Sequence, residues 1–321
     1  MKRTLVTGAN GQIGSDLVRR LRREQGPDAV VALDITPPAA VNGAETDHRV
    51  EMADVRDRSA IERVIQAHDV GTVYHLASLL SASGESQPDR AWDVNTNGLK
   101  NVLDEARAHD LTVFWPSSIA VFGPDTPKRN TPQETILNPD TMYGVTKRSG
   151  ELLCRYYHRR HGVDVRSVRF PGLVSYAAPP GGGTTDYAVD MLRAAARGVP
   201  YTCFLRPDTR LPMMYMPDAL QAVHRLMDAD PAALSVRTSY NLTAFSLSAE
   251  ELATAIRQRI PGFAVTYAPD TRQQIADTWP ASVDDAPARS DWGWAPTFDL
   301  DAMVDDMLDH LRERTDEPKR G

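Results

Sequence analysis

Tyr143 and Lys147 stand four residues apart in Tyr143-Gly144-Val145-Thr146-Lys147, a spacing that puts both side chains on one face of a helix. A free tyrosine has a pKa of about 10 and is a poor base at neutral pH. A nearby ammonium favours the phenolate and lowers that value, so the pair is suited to taking a proton from a hydroxyl. The chain holds 10 tyrosines but only five lysines, Lys2, Lys100, Lys128, Lys147 and Lys319, which makes a chance match uncommon. Ser117 and Ser118 close an apolar run, Thr112–Pro116, that reads as a strand. A serine pair there can form a turn. Beside Tyr143, the hydroxyl of Ser118 can instead hold the substrate oxygen that loses its proton. Tyr143, Lys147 and Ser118 are the candidate catalytic group.

Such chemistry needs an electron acceptor, and the amino terminus offers a place for one. An apolar strand, Thr4–Thr7, runs into Gly8-Ala9-Asn10-Gly11-Gln12-Ile13-Gly14 and then into an amphipathic stretch. Gly8 permits the tight turn, Gly11 lets backbone approach a pyrophosphate, and Gly14 lets the helix pack close to the sheet. The free N–H groups and positive end of that helix bind phosphate. Asp34 ends the second strand, 20 residues after Gly14. A carboxylate there accepts hydrogen bonds from a ribose and repels a 2′-phosphate, so NAD is expected over NADP; capping a local turn is its other reading. Asp54-Val55 follows the third strand, where the carboxylate could meet the adenine amino group.

The elements that position these residues alternate. Strands are expected at Thr4–Thr7, Val30–Leu33, Arg49–Met52, Thr72–Leu76, Thr112–Pro116 and Val165–Phe170. Helices are expected at Ile13–Arg23, Ser59–His68 (with Ser59 and Glu62 as a capping box), Trp92–His109 and Met142–His161. Strand–helix alternation implies parallel β-α-β units, hence an α/β Rossmann-type doubly wound sheet with a smaller C-terminal α/β substrate domain. The expected division is 1–172 for the NAD-binding domain, with part of 213–243 returning to it, and 173–321 mainly for substrate. In the second half a Gly/Pro loop spans Ala177–Gly183. Helices follow at Thr185–Arg197 ending on Gly198, at Ser248–Arg259 with a Ser248/Glu251 capping box, and at Asp299–Arg312. The tail Thr315–Gly321 reads as frayed.

Composition narrows the function classes. Of 321 residues, 41% are hydrophobic and 25% charged, with a net charge of −7, so there is no basic footprint for nucleic acid or an anionic membrane. No apolar run approaches the roughly 18 residues that span a bilayer, and the amino terminus enters a strand without a leader pattern. A cytoplasmic protein is the expectation. The two cysteines, Cys154 and Cys203, sit in apolar surroundings and read as buried free thiols; neither has a Cys-x-x-Cys partner, and no metal site is expected.

On Gly8/Gly11/Gly14, His75-Leu76-Ala77, Asn95, Ser117-Ser118-Ile119-Ala120-Val121-Phe122-Gly123, Tyr143/Lys147, Arg169-Phe170-Pro171-Gly172 and Asp291-Trp292-Gly293-Trp294-Ala295-Pro296, the sequence resembles the extended short-chain dehydrogenase/epimerase family over nearly its whole length. Leu79–Glu85, Phe170–Tyr176, Gly182–Val189, Pro212–Asp218 and Asp277–Pro280 look more specifically like the short-chain L-threonine 3-dehydrogenases. That resemblance implies a zinc-free, NAD-dependent oxidation of the L-threonine β-hydroxyl to 2-amino-3-oxobutanoate, and a homodimer built through two long helices per subunit. It implies cofactor contacts from Gly8, Asn10, Gly11, Gln12, Ile13, Gly14, Asp34, Asp54, Val55, Leu76, Ala77, Ser78, Asn95, Ser117, Tyr143, Lys147, Phe170, Pro171 and Leu173. Substrate contacts are expected from Ser81, Ser118, Tyr143, Gly183, Thr184, Thr185, Asp186 and Trp279. Asp186 is read either as a partner for the substrate ammonium or as a helix N-cap, Trp279 as a lid or a packing residue, and His75 as a core residue beside the cofactor.

Two rival readings share the scaffold. A sugar-nucleotide 4-epimerase or dehydratase would need cations for a diphosphate, yet Gly181–Asp186 offers no Arg or Lys, and Phe170 stands before Pro171 where those relatives usually carry Asn. A non-catalytic NAD-sensing module tends to lose the Tyr/Lys pair, which is kept here.

Overall fold

The computed structural model describes residues 2–37, 50–177 and 181–316. The first half runs β1 (Arg3–Thr7), α1 (Gln12–Gln25), β2 (Val30–Asp34), β3 (Val50–Met52), α2 (Arg58–His68), β4 (Val70–His75), α3 (Ser81–Ser86), α4 (Pro88–Trp92), α5 (Gly98–His109), β5 (Thr112–Ser118), α6 (Met142–His161) and β6 (Val165–Phe170). The second half runs β7 (Gly172–Val174), α7 (Tyr187–Ala196), β8 (Tyr201–Cys203), β9 (Arg210–Tyr215), α8 (Met216–Asp228), β10 (Tyr240–Asn241), β11 (Phe245–Ser248), α9 (Ala249–Arg259), β12 (Val265–Tyr267), α10 (Thr271–Thr278), α11 (Ala286–Trp292) and α12 (Leu300–Asp316).

Seven strands form one parallel sheet in the order β10-β6-β5-β4-β1-β2-β3, the Rossmann-type arrangement. The chain winds outward from β1 to β3 and then crosses to β4 on the other side of β1. The carboxyl ends of β1 and β4 therefore diverge into a crevice, the place where such sheets bind ligands. Successive strand residues face opposite sides. Phe114 packs with α1 and α8, whereas Val113 and Trp115 pack with α2, α5 and α6. A third core joins α7, α9 and α12 and encloses Trp279.

The segment Met216–Asn241 returns to the sheet. Arg166, on β6 and 6% exposed, donates from Nη1 to the carbonyls of Leu226, Met227 and Ala229 at the end of α8, satisfying groups that a helix leaves unpaired. β10 then pairs with β6. The two cysteines are free and buried. No helix among the described residues is long and apolar enough to cross a membrane.

Several boundaries differ from the sequence reading for local reasons. The N-cap of α2 is Asp57, whose carboxylate accepts from Ala60 N, so Ser59 lies inside the helix. β5 continues through Ser117 and Ser118 instead of ending at Pro116, and β4 begins at Val70 and ends at His75. The helix expected from Trp92 begins at Pro88 and carries a wide turn at Asp93–Asn97 before α5. The Ser/Gly-rich stretch Ser81–Ser86 is a short helix where none was expected. α7 starts at Tyr187 because Asp186 is tied to the preceding loop. The Ser248/Glu251 capping box is present, and Gly198 is left-handed at φ +68. Arg49, Ala178–Pro180 and the tail beyond Asp316 lie outside the described residues.

Candidate active site

Two adjoining cavities open at the crevice. The first, of about 340 Å³, is lined by Gly8, Asn10, Gly11, Asp34, Asp54, Val55, Leu76, Ala77 and Ser78. The second, of about 150 Å³, shares Leu76 and Ser78 and is lined by Gln12, Ile13, Ser81, Ser117, Ser118, Tyr143, Lys147, Phe170, Pro171, Leu173, Gly183, Thr184, Thr185, Asp186 and Trp279. A larger cleft, about 1060 Å³, lies beside α1, where Arg19 pairs with Asp16 and Arg20 with Glu24.

The glycine loop is built by close approach. Gly8 has φ +68, and a Cβ on it would stand 2.6 Å from Ala77 N. A Cβ on Gly14 would stand 2.1 Å from Gly8 O. Glycine at both points lets the loop pack tightly on Ala77 and on itself; Gly8 and Gly11 line the first cavity, and the buried Nε2 of Gln12, without a partner, borders the second. These residues fit a dinucleotide. Asp34 accepts from Asn10 N at 3.0 Å, and also from Thr36 N and Thr36 Oγ1 at 3.1 Å, so it braces the loop and a local turn while lining the cavity. Asp54 lines the cavity as well, but Arg56 holds its carboxylate at 2.7 Å and keeps its pKa below the usual carboxylate range. The Gly14→Ala variant should displace the loop; we expect NAD affinity to fall at least about tenfold by calorimetry, with a lower melting temperature.

α6 brings the catalytic candidates together. Thr141 caps it by accepting from Gly144 N, and Glu85 of α3 accepts from Met142 N at 2.6 Å. A Cβ on Gly144 would sit 2.2 Å from Ala120 O, and one on Gly150 would sit 2.4 Å from the Trp115 ring. Glycine at both points lets α6 lie close against β5. Tyr143 consequently meets Ser118; burial pushes the tyrosine up to about 12, against the smaller, lowering effect of the hydrogen bond to Ser118. Lys147 is 3% exposed; its Nζ donates to Pro116 O at 2.8 Å and lies 5.5 Å from the Tyr143 ring centroid. Burial pushes the lysine down to about 7. His75 is buried, bonded through Nδ1 to Thr7 Oγ1 at 2.8 Å, with Nε2 unpartnered. Burial, and then the charge of Lys147, push it down to about 3, so it stays a neutral core imidazole.

The opposite wall is small and polar. Thr184 is 2% exposed, and its Oγ1 has no partner. Ser81 and Thr185 line the same space. Asp186 lines it too, but its carboxylate accepts from Gly182 N at 2.8 Å and Gly183 N at 2.6 Å. It therefore shapes the loop: Asp186 stands at the N-cap position of α7, but its side chain makes no capping bond there. Trp279 is 7% exposed, packed in the core that joins α7, α9 and α12, with one side on the cavity. Lys147 is the one cation lining this cavity among the described residues.

Two expected cofactor residues do not line either cavity. Gly14 lies beneath the loop against Gly8 and Ala9. Asn95 lies behind the wall: its side chain accepts from Leu79 N and donates to Leu79 O and Thr146 Oγ1, pinning the 78–80 segment to α6. Arg90 and Val94 line the first cavity and were not anticipated; they project from α4 and the wide turn, which were read as ordinary helix. Away from the crevice, Glu62, Glu105 and His109 come within reach of one another. Arg58 already neutralises Glu105 at 2.7 Å, which makes that cluster an ion-pair network on the outer face of α2 and α5.

Similarity to known proteins agrees with this geometry. The NAD dependent epimerase/dehydratase family matches over residues 4–242. An uncharacterised epimerase/dehydratase of Staphylococcus haemolyticus is 46% identical, covering 98% of this chain and 99% of its own. The holo form of an L-threonine dehydrogenase from Cupriavidus necator is 50% identical, covers 96% of this chain and 99% of its own, and superposes with a TM-score of 0.93. A monomeric L-threonine 3-dehydrogenase from a metagenome is 48% identical, covers 98% of this chain and 100% of its own, with a TM-score of 0.94.

Proposed function

Because the chain belongs to the NAD-dependent epimerase/dehydratase family, we propose that it is an NAD-dependent oxidoreductase that oxidises the β-hydroxyl of L-threonine to 2-amino-3-oxobutanoate. The observation that carries the substrate is the second cavity, where Tyr143, Ser118 and Lys147 face a neutral wall of Ser81, Thr184 and Thr185. A sugar nucleotide needs cations for its diphosphate, and the wall Gly183–Asp186 carries no Arg or Lys. The similarity to solved L-threonine dehydrogenases at about half sequence identity supports the same reading.

In this proposal Gly8, Asn10, Gly11 and Gln12 hold the pyrophosphate, Asp34 holds the adenosine ribose, and Lys147 holds the second ribose. When bound, NAD supplies the acceptor for the hydride that leaves the β-carbon. Tyr143 takes the hydroxyl proton and Ser118 orients the oxygen. Thr184, Thr185 and Ser81 receive the carboxylate, the unpartnered Thr184 hydroxyl foremost. Trp279 covers the substrate. The two electrons leave as hydride and the hydroxyl proton leaves through Tyr143 to solvent, so each turnover yields one ketone, one NADH and one proton.

The Tyr143/Lys147 pair also sets a pH dependence. With Lys147 at about 7 and Tyr143 at about 12, the pair loses its first proton near neutrality. The singly deprotonated pair can exist as phenolate plus ammonium, the form that accepts the substrate proton. At lower pH both groups are protonated and no base exists. We therefore expect kcat/KM to rise with pH through neutrality and level off above it. The Lys147→Met variant should move that rise toward higher pH, because no ammonium then favours the phenolate.

Following NADH absorbance with L-threonine, L-serine and a UDP-sugar tests the whole proposal. Growth of signal with threonine supports it; no reduction of NAD with threonine sinks it. The homodimer belongs to the same proposal. Val145, Leu152 and Tyr156 are exposed along one stripe of α6 and Trp92 is exposed on α4, an apolar face for a second copy. A monomer by light scattering at working concentration would remove that part and leave the chemistry intact.

A further inference from the structure

Lys128 is half-buried in the 123–141 loop, outside the catalytic group. Its Nζ donates to Gly123 O at 3.1 Å and to Thr278 O at 2.6 Å. Among the described residues it forms no ion pair with a carboxylate. Gly123 closes the segment that begins at Ser118, and Thr278 is the last residue of α10, directly before Trp279. One ammonium thus joins the segments that carry two walls of the substrate cavity. The same two stretches are laced by backbone. Ala281 N donates to Lys128 O at 2.7 Å, Asn130 N donates to Ser282 Oγ at 2.8 Å, and Thr131 N donates to Ser282 O at 3.0 Å. Those bonds all lie beyond Trp279 in the chain, so among the described residues the Lys128 side chain is the bond from this loop to Thr278, whose own hydroxyl bonds back to Ile275 O at 2.7 Å. A cation on the last carbonyl of a helix is also favoured by the helix dipole.

We infer that Lys128 is a positioning residue that fixes Trp279 over the substrate cavity, opposite Ser118, and so sets substrate affinity. The inference rests on the threonine reading only for its kinetic readout. In the Lys128→Met variant, acrylamide should quench more of the emission that Trp279 contributes, taken as the difference from the matching Trp279→Phe protein. KM for threonine should rise about tenfold, the loss of one charge-assisted hydrogen bond, with kcat reduced less and NAD affinity unchanged. Lys128→Arg, which keeps the charge, should restore much of both. The Lys128→Met/Trp279→Ala double variant should show no higher KM than Trp279→Ala alone, since both act through one group.

Unchanged quenching in Lys128→Met, or KM losses that multiply in the double variant, overturns the inference. A lower melting temperature with unchanged KM and quenching also overturns it, as a merely structural role. If the wild-type enzyme leaves threonine untouched, the threonine reading fails, and the quenching comparison still decides the role of Lys128. Lys128→Gln replaces the methionine variant should that protein fail to fold.

Discussion

Replacing Tyr143 with phenylalanine is expected to cut turnover of threonine by about 10²–10⁴-fold while leaving the fold and NAD binding in place. The ring remains, so its packing against the core that joins α7, α9 and α12 and its contact with Lys147 survive. Only the hydroxyl is lost, and nothing else facing the cavity replaces it. Ser118 offers a hydroxyl of ordinary, very high pKa. His75 has Nδ1 bonded to Thr7 and is held neutral in the core, without contact to the cavity. Lys147 donates to Pro116 O and lies behind the tyrosine. Circular dichroism and NAD titration establish that the variant is intact, and stopped-flow NADH formation then reads the chemical step. Wild-type kcat in that variant would remove Tyr143 from the mechanism. The Ser118→Ala variant gives a graded companion result: its loss removes the hydrogen bond that lowers the Tyr143 pKa, so the pH profile should shift upward as kcat falls.

The features that were legible in the sequence are those whose chemistry is local. Gly8, Gly11 and Gly14 follow a first strand, and the close contacts at Gly8 and Gly14 are what glycine at those positions implies. Tyr143 and Lys147 share a helix face because four residues make about one turn. Where the reading failed, a tertiary partner decided. Asp57 displaced Ser59 as cap of α2 by reaching Ala60 N first. Asn95, expected at the cofactor, lines neither cavity, since its side chain bonds Leu79 and Thr146. Asp186 stands at the N-cap position of α7, but its side chain turns back to the amides of its own loop instead of capping the helix. Ser81–Ser86 contains little that favours a helix, and its capture by α6 through Glu85 is a contact between distant segments. One further signal lies in β6, which reads Val165-Arg166-Ser167-Val168-Arg169-Phe170. A strand inside a doubly wound sheet is covered on both faces, so two buried arginines in it require buried partners.

The partner of Arg169 yields the second large effect. Glu151, fully buried one turn after Lys147, accepts from Arg169 Nε at 2.7 Å and Nη2 at 2.9 Å, and from Ser117 Oγ at 2.8 Å. Arg169, 2% exposed, spends its remaining group on Gln133 O and Asn241 Oδ1. The pair thus ties α6, β5, β6, β10 and the 123–141 loop at one point beneath the catalytic group. Two desolvated charges contribute little net stability when paired, but removing one strands the other. The Glu151→Ala variant should therefore lose about 3–5 kcal/mol of stability, a large share of a typical 5–15 kcal/mol total, measured as a denaturant midpoint shift. Glu151→Gln keeps the shape and loses the charge; it should retain more stability yet still lower kcat, because Ser117 adjoins Ser118 and Lys147 lies on the same helix face. The Glu151→Leu/Arg169→Met double variant separates the two contributions. If the cost comes from an uncompensated charge, the double variant recovers much of the stability lost in Glu151→Ala while its kcat stays low. If stability and kcat return together, Glu151 acts on the site only by keeping the sheet folded. An Ala variant as stable as the wild type would show that Arg169 finds another counter-charge, and no such carboxylate borders it among the described residues.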